Sequence, residues 1–155
     1  VYELAAEKVG RENVDDFLEL PKAVAVSEDV DRPDQVGREV AVEKIAKQER
    51  ALDIGSQAIQ QFCDVVAGAG TIVWNGPLGL TEIETFSIGS ARIALAIASN
   101  TEAVSIIGGG DTADFVLKWC GGDDSSFTHI STGGGASLEY LEGKELPGIA
   151  CIQNA

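Results

Sequence analysis

The second half of the chain repeats one hydropathy pattern three times. Apolar, β-branched runs at 71–74, 103–107 and 127–130 each end in a glycine-rich turn, and a stretch with helical spacing of apolar residues follows at 85–98, 111–119 and 136–141. The three strings are TIVWNGPLG (71–79), SIIGGGDT (105–112) and HISTGGGAS (129–137). Strand, tight turn and helix in alternation predict an α/β fold: a three-layer, Rossmann-like parallel sheet with helices on both faces. Upstream, 1–9 reads as a helix stopped by Gly10 and 17–26 as a strand interrupted by Pro21. Residues 27–35 form a polar, acidic loop, and the alternation over 39–45 predicts an edge strand or hairpin arm. Ser56 is the expected N-cap of a helix through Val66, with Ile59, Phe62, Cys63 and Val66 on one face. The first helix has no capping residue, so the chain is expected to be a segment whose domain begins before Val1.

A glycine turn between a strand end and a helix start presents backbone N–H groups where the helix dipole is positive, which favours a bound phosphate. Three such turns on one sheet edge point to a shared anionic ligand. In GGGDT, Gly108 to Gly110 allow close backbone approach. Asp111 has two readings, the N-cap of its own helix or a carboxylate facing a magnesium ion that bridges phosphate oxygens. Thr112 would offer its amide and hydroxyl to the same phosphate. In WNGPLGLTE, Asn75 is a polar group at a strand end, Pro77 and Leu80 form an apolar wall, and Glu82 is either a sugar-binding carboxylate or simply solvated. The amides of Gly133, Gly134 and Gly135 are donors suited to charge developing in a transition state. His129, the single histidine, is expected to pack on its short strand rather than act as a base. The Walker A pattern fails for want of a lysine in these turns. The dinucleotide fingerprint is met only loosely, by Gly108, Gly110 and Ala113, with no acidic residue ending the next strand.

Composition narrows the partners. Eleven Lys and Arg stand against 25 Asp and Glu, a formal charge of −14 that repels nucleic acid and anionic lipid, so neither nucleic acid nor membrane is an expected partner. No apolar run approaches the roughly 20 residues of a membrane helix and no leader pattern opens the chain, which reads as cytoplasmic. Cys63, Cys120 and Cys151 are scattered and odd in number, as expected of buried free thiols in a reducing compartment.

The strings VWNGPLG, IIGGGDT and HISTGGGASLE, preceded by LDIG (52–55) and followed by LEGKELPG (141–148), closely resemble the C-terminal, nucleotide-binding part of phosphoglycerate kinases, in order and in spacing. That resemblance implies phosphoryl transfer from 1,3-bisphosphoglycerate to MgADP, giving 3-phosphoglycerate and MgATP, across two domains that close about a hinge. It implies that Glu82 holds the ribose, Pro77 and Leu80 line the adenosine site, and Asn75 stands near the phosphates. Gly109, Gly110, Asp111 and Thr112 would hold the phosphate chain, with Asp111 toward Mg2+, and Gly133 to Gly135 would meet the transferring phosphoryl. Positioning and charge stabilisation are what this chemistry demands of a protein.

The chain departs from the family pattern at Leu80 and Thr81, where Val-Phe is usual, and at Ala51, Ser56 and Ser90. The family's Gly-Gly-Ala-Lys turn does not occur, nor does the N-terminal domain with its arginine-rich phosphoglycerate site. The expectation is a C-terminal nucleotide-binding segment, 1–155, of a two-domain kinase, an incomplete domain with exposed apolar edges and little activity alone. The alternative is a freestanding nucleotide- or phosphate-binding module without kinase activity.

Overall fold

The computed structural model describes residues 2–31 and 37–153. Val1 of the first expected helix and 32–35 of the acidic loop lie outside them. Helix α1 (Tyr2–Val9) stops where Gly10, at φ +84°, donates its amide to the Ala6 carbonyl at 3.0 Å. The strand expected over 17–26 is shorter. Its first residue closes α2 (Val14–Phe17), whose last turn is sealed by the Leu18 amide on the Val14 carbonyl. Strand β1 (Ala23–Ser27) starts beyond Pro21, which has no N–H to give a ladder. The arm expected over 39–45 is cut in the same way: β2 (Arg38–Ala41) passes into a 3-10 turn over Val42–Lys44. Strand β3 (Arg50–Ile54) completes an antiparallel sheet of order β2-β1-β3, with Val24 opposite both Val40 and Ile54.

Helix α3 (Ser56–Ala67) leads into β4 (Thr71–Asn75), and a 3-10 turn at Glu84–Phe86 precedes α4 (Ile88–Ser99). Then follow β5 (Val104–Gly108), α5 (Gly110–Trp119), β6 (His129–Ser131), α6 (Gly134–Leu141) and α7 (Pro147–Gln153). Strands β4, β5 and β6 form a parallel sheet in that order, flanked by helices, which is the α/β arrangement expected. Period-two alternation turns Ile72, Trp74 and Ile107 into the core with Ile93, Ala94 and Ile97 of α4, Val116 of α5 and Phe127. Burying each of the large ones is worth about 1.5–3 kcal/mol. The opposite face is thinly covered, with Val73 41% and Val104 47% exposed.

Three local expectations change. Ser56 is the first residue of α3, not its cap; its amide and hydroxyl both donate to the Glu39 carboxylate, at 3.1 Å each. A carboxylate on β2 thus meets the positive end of the helix. Helices α5 and α6 start inside their glycine turns, one and two residues ahead of the expected positions. Cys63 and Cys120 are half-buried, and Cys151 is exposed because α7 buries no residue. Burial pushes the Cys63 thiol up. Among the described residues no helix is long and apolar enough to cross a membrane.

Candidate functional site

Parallel register brings the three strand ends level: Asn75 pairs with Gly108, and Gly108 with Ser131. The glycine turns that follow therefore meet at one sheet edge. Three hydrogen bonds cross between them: Asn75 Nδ2 donates to the Gly134 carbonyl at 3.2 Å, the Gly76 amide to Thr112 Oγ1 at 2.9 Å, and the Gly109 amide to the Ser131 carbonyl at 3.1 Å. Gly109 sits at φ +96°, a region other residues seldom enter. A Cβ added to Gly134 would stand 2.6 Å from both Cα and N of Gly109, so the entrances of α5 and α6 abut backbone to backbone.

Amide donors converge there. The first helical bond of α5 runs from Ala113 to Gly109, which leaves the amides of Gly110, Asp111 and Thr112 in the unpaired first turn. The Gly109 amide is already used, so Gly109 supplies backbone shape instead. In α6 the first helical bond runs from Ser137 to Gly133, and the Gly133 amide turns back to Ser131 Oγ at 3.2 Å. The amides of that turn ahead of the first helical bond are Gly134, buried against Gly109, and the exposed Gly135 and Ala136, one residue beyond the trio read from the sequence. Thr112 is 1% exposed, and its hydroxyl accepts from the Gly76 amide while keeping its own O–H to donate.

Gly109, not Asp111, occupies the cap position of α5. The Asp111 side chain is exposed, in the first turn, and has no hydrogen bond or ion pair to a described residue. One unengaged carboxylate beside helix amides without a helical partner fits magnesium, which takes one or two carboxylates and completes its shell with phosphate and water. Among the described residues no cluster of three or more His, Cys, Asp or Glu gathers for a metal.

On the other side of Asn75, Pro77 and Leu80 are half-buried and share a cavity of about 390 Å³ with Leu52, a residue for which the sequence suggested no role. Glu82 is exposed beyond it without a described partner. An apolar cavity of about 280 Å³ between α3, β4 and α4 is lined by Phe62, Trp74 and Ile97 and has none of the amide donors. His129 is exposed on β6, opposite Ile106, rather than packed, because a three-residue edge strand buries little.

Asp53 was missed as well. It is 5% exposed, and its carboxylate accepts the amides of Ile54 and Gly89, each at 2.8 Å. Burial pushes its pKa up, and the two amides offset only part of that. A lone charge inside the apolar run LDI was the available signal, since a buried carboxylate needs partners.

Comparison with known proteins follows the same lines. The family model described as phosphoglycerate kinase matches residues 3–144. The chain is 46% identical over 137 residues to a phosphoglycerate kinase of Dictyoglomus turgidum, covering 87% of this chain and 33% of that one. With a Listeria welshimeri phosphoglycerate kinase it shares 46% over 143 residues, 92% of this chain and 35% of the relative. The solved phosphoglycerate kinase of Coxiella burnetii superposes at TM-score 0.78 with 37% identity, over 95% of this chain and 38% of its own. That of Pyrococcus horikoshii gives TM-score 0.72 and 32% identity, over 97% and 37%. The chain thus spans about a third of the length of the curated relatives it matches. From the glycine turns, their register and these relatives alike, the chain belongs to the phosphoglycerate kinase family.

Proposed function

We propose that this chain is the nucleotide side of a phosphoglycerate kinase, a cytoplasmic glycolytic enzyme. The reaction is transfer of the acyl phosphate of 1,3-bisphosphoglycerate to MgADP, with 3-phosphoglycerate and MgATP as products. The chain is a C-terminal nucleotide-binding segment, and the phosphoglycerate site belongs to a separate domain. The observation that carries this reading is the abutment of two helix entrances, α5 and α6, with their open amides at a single sheet edge. Two positive helix ends suit two phosphoryl groups, one held and one in transit.

In this arrangement the amides of Gly110, Asp111 and Thr112 bind the phosphate chain of ADP. Gly109 gives the backbone close approach, and Asn75 orients the turns. Pro77 and Leu80 flank the adenosine, and Glu82 accepts from the ribose hydroxyls. The Gly133 to Gly135 turn meets the transferring phosphoryl, chiefly through the donors at Gly134 and Gly135. Asp111 holds Mg2+, which when bound neutralises phosphate charge. Nothing covalent is asked of a side chain, in keeping with a reaction governed by positioning.

Joining this chain to the remaining portion of the Coxiella burnetii phosphoglycerate kinase tests the reading. The chimera should turn over in an assay coupled to ATP formation, whereas the 155-residue chain alone should bind MgADP but not turn over. A chimera that folds and binds MgADP yet stays inactive would favour a nucleotide-binding module without kinase activity.

A further inference from the structure

Asp53 lies outside the glycine turns, on β3, and the structure nevertheless ties it to one of them. Its Oδ2 accepts from Gly89, the second residue of α4, where helix amides have no partner of their own. The turn at 77–80 hangs from two pegs: the Leu80 amide donates to the Leu52 carbonyl at 2.8 Å, and the Leu78 amide to Ser90 Oγ at 2.9 Å. Leu52 and Ser90 are the chain neighbours of Asp53 and Gly89. The bond from Gly89 to Asp53 therefore sets the distance between the pegs.

The fit is tight. A Cβ on Gly79 would lie 2.5 Å from Asp53 Oδ1 and against the Phe86 carbonyl, and a Cβ on Gly89 would strike the same Oδ1. Turn, helix start and carboxylate meet with no side chain between them.

We propose that Asp53 is a positioning residue for the nucleoside half of the site: its carboxylate fixes where Pro77 and Leu80 stand, and so governs affinity for adenosine separately from affinity for phosphate. This rests on the nucleotide reading given above. Among the described residues no hydrogen bond joins Asp53 to α5 directly, and the turn it holds meets that helix only through the Gly76 amide on Thr112 Oγ1, so a phosphate group without a nucleoside should feel its loss little.

Calorimetric titration of the chain with MgADP and, separately, with magnesium pyrophosphate separates the two. Asp53→Asn should weaken MgADP by about tenfold or more and leave pyrophosphate within about threefold of the unmodified chain. Gly79→Ala keeps the carboxylate but forces the turn away from it, and should show the same selective loss should Asp53→Asn fail to fold. Equal losses for both ligands, or none, would overturn the proposal. If the unmodified chain binds neither ligand, the nucleotide reading itself falls, a result distinct from any given by the variants.

Discussion

The Asn75 side-chain amide reaches the Gly134 carbonyl across 3.2 Å, joining the end of β4 to the first turn of α6 although 59 positions separate them in the chain. The same side chain leaves its oxygen toward Gly109, 2.9 Å from where a Cβ on that residue would stand. Asn75 thus lies against both helix entrances beside their backbone contact, and space there is fully used.

Gly134→Ala should therefore be costly. The new methyl would strike the backbone of Gly109, which has no rotamer to change, and overpacking of this kind costs about 1–3 kcal/mol. Urea unfolding followed by tryptophan fluorescence should show that loss, with magnesium pyrophosphate binding weakened in the fraction that remains folded. A variant as stable as the parent would mean the entrances do not abut.

Thr112→Val keeps the shape of the side chain and removes the acceptor of the Gly76 amide. A part-buried donor left without a partner costs about 1–3 kcal/mol, the lower end applying here because water reaches the turn. Thermal unfolding should report a lowered midpoint, and since valine keeps the amide at 112, pyrophosphate binding should stay close to normal.

Asp111→Ala separates metal from fold. The carboxylate is exposed and unengaged among the described residues, so stability should stay within about 0.5 kcal/mol. The gain in ADP affinity that magnesium brings should largely vanish. Titrations with and without magnesium check this, and an unchanged magnesium effect would place the ion elsewhere.

Asp53 gives a pH dependence of definite sign. Burial raises its native pKa above the ordinary value of about 3.9, so the native state holds the proton more readily than the unfolded chain does. Its contribution to stability is then complete below that ordinary value and is lost as pH rises through the raised native one. Asp53→Asn cannot titrate, so the stability of the parent relative to this variant should fall as pH climbs from about 4 and then level off. Urea midpoints of both proteins at several pH values measure it; a relative stability that rises with pH would contradict the assignment.

The parallel half of the fold was legible because its signals are local. Three β-branched runs with glycine turns reveal strand, turn and helix by periodicity, and parallel pairing follows from the helix between each pair. Long matching strings then pointed to the family and to Asn75, Glu82 and Asp111. Strand β3 was illegible for the opposite reason. Arg50–Ile54 carries a charge at each of two positions, and its pairing with β1 depends on a residue as distant as Val24. Helix α7 has a short apolar sequence that buries nothing, so no periodicity marks it. That the Gly133 amide bonds Ser131 Oγ within its own turn cannot be read from residue types. Asp53 escaped notice since its partners, Ile54 and Gly89, are backbone groups that any sequence provides.

The contact of Gly134 with Gly109 has one more effect. Where side chains separate two helices, substitution and rotamer change let the gap drift, and related proteins diverge in its width. Here covalent backbone geometry alone acts as the spacer. The separation of the two amide clusters is thereby a fixed gauge, which neither sequence drift elsewhere nor warming of the side chains can readily retune.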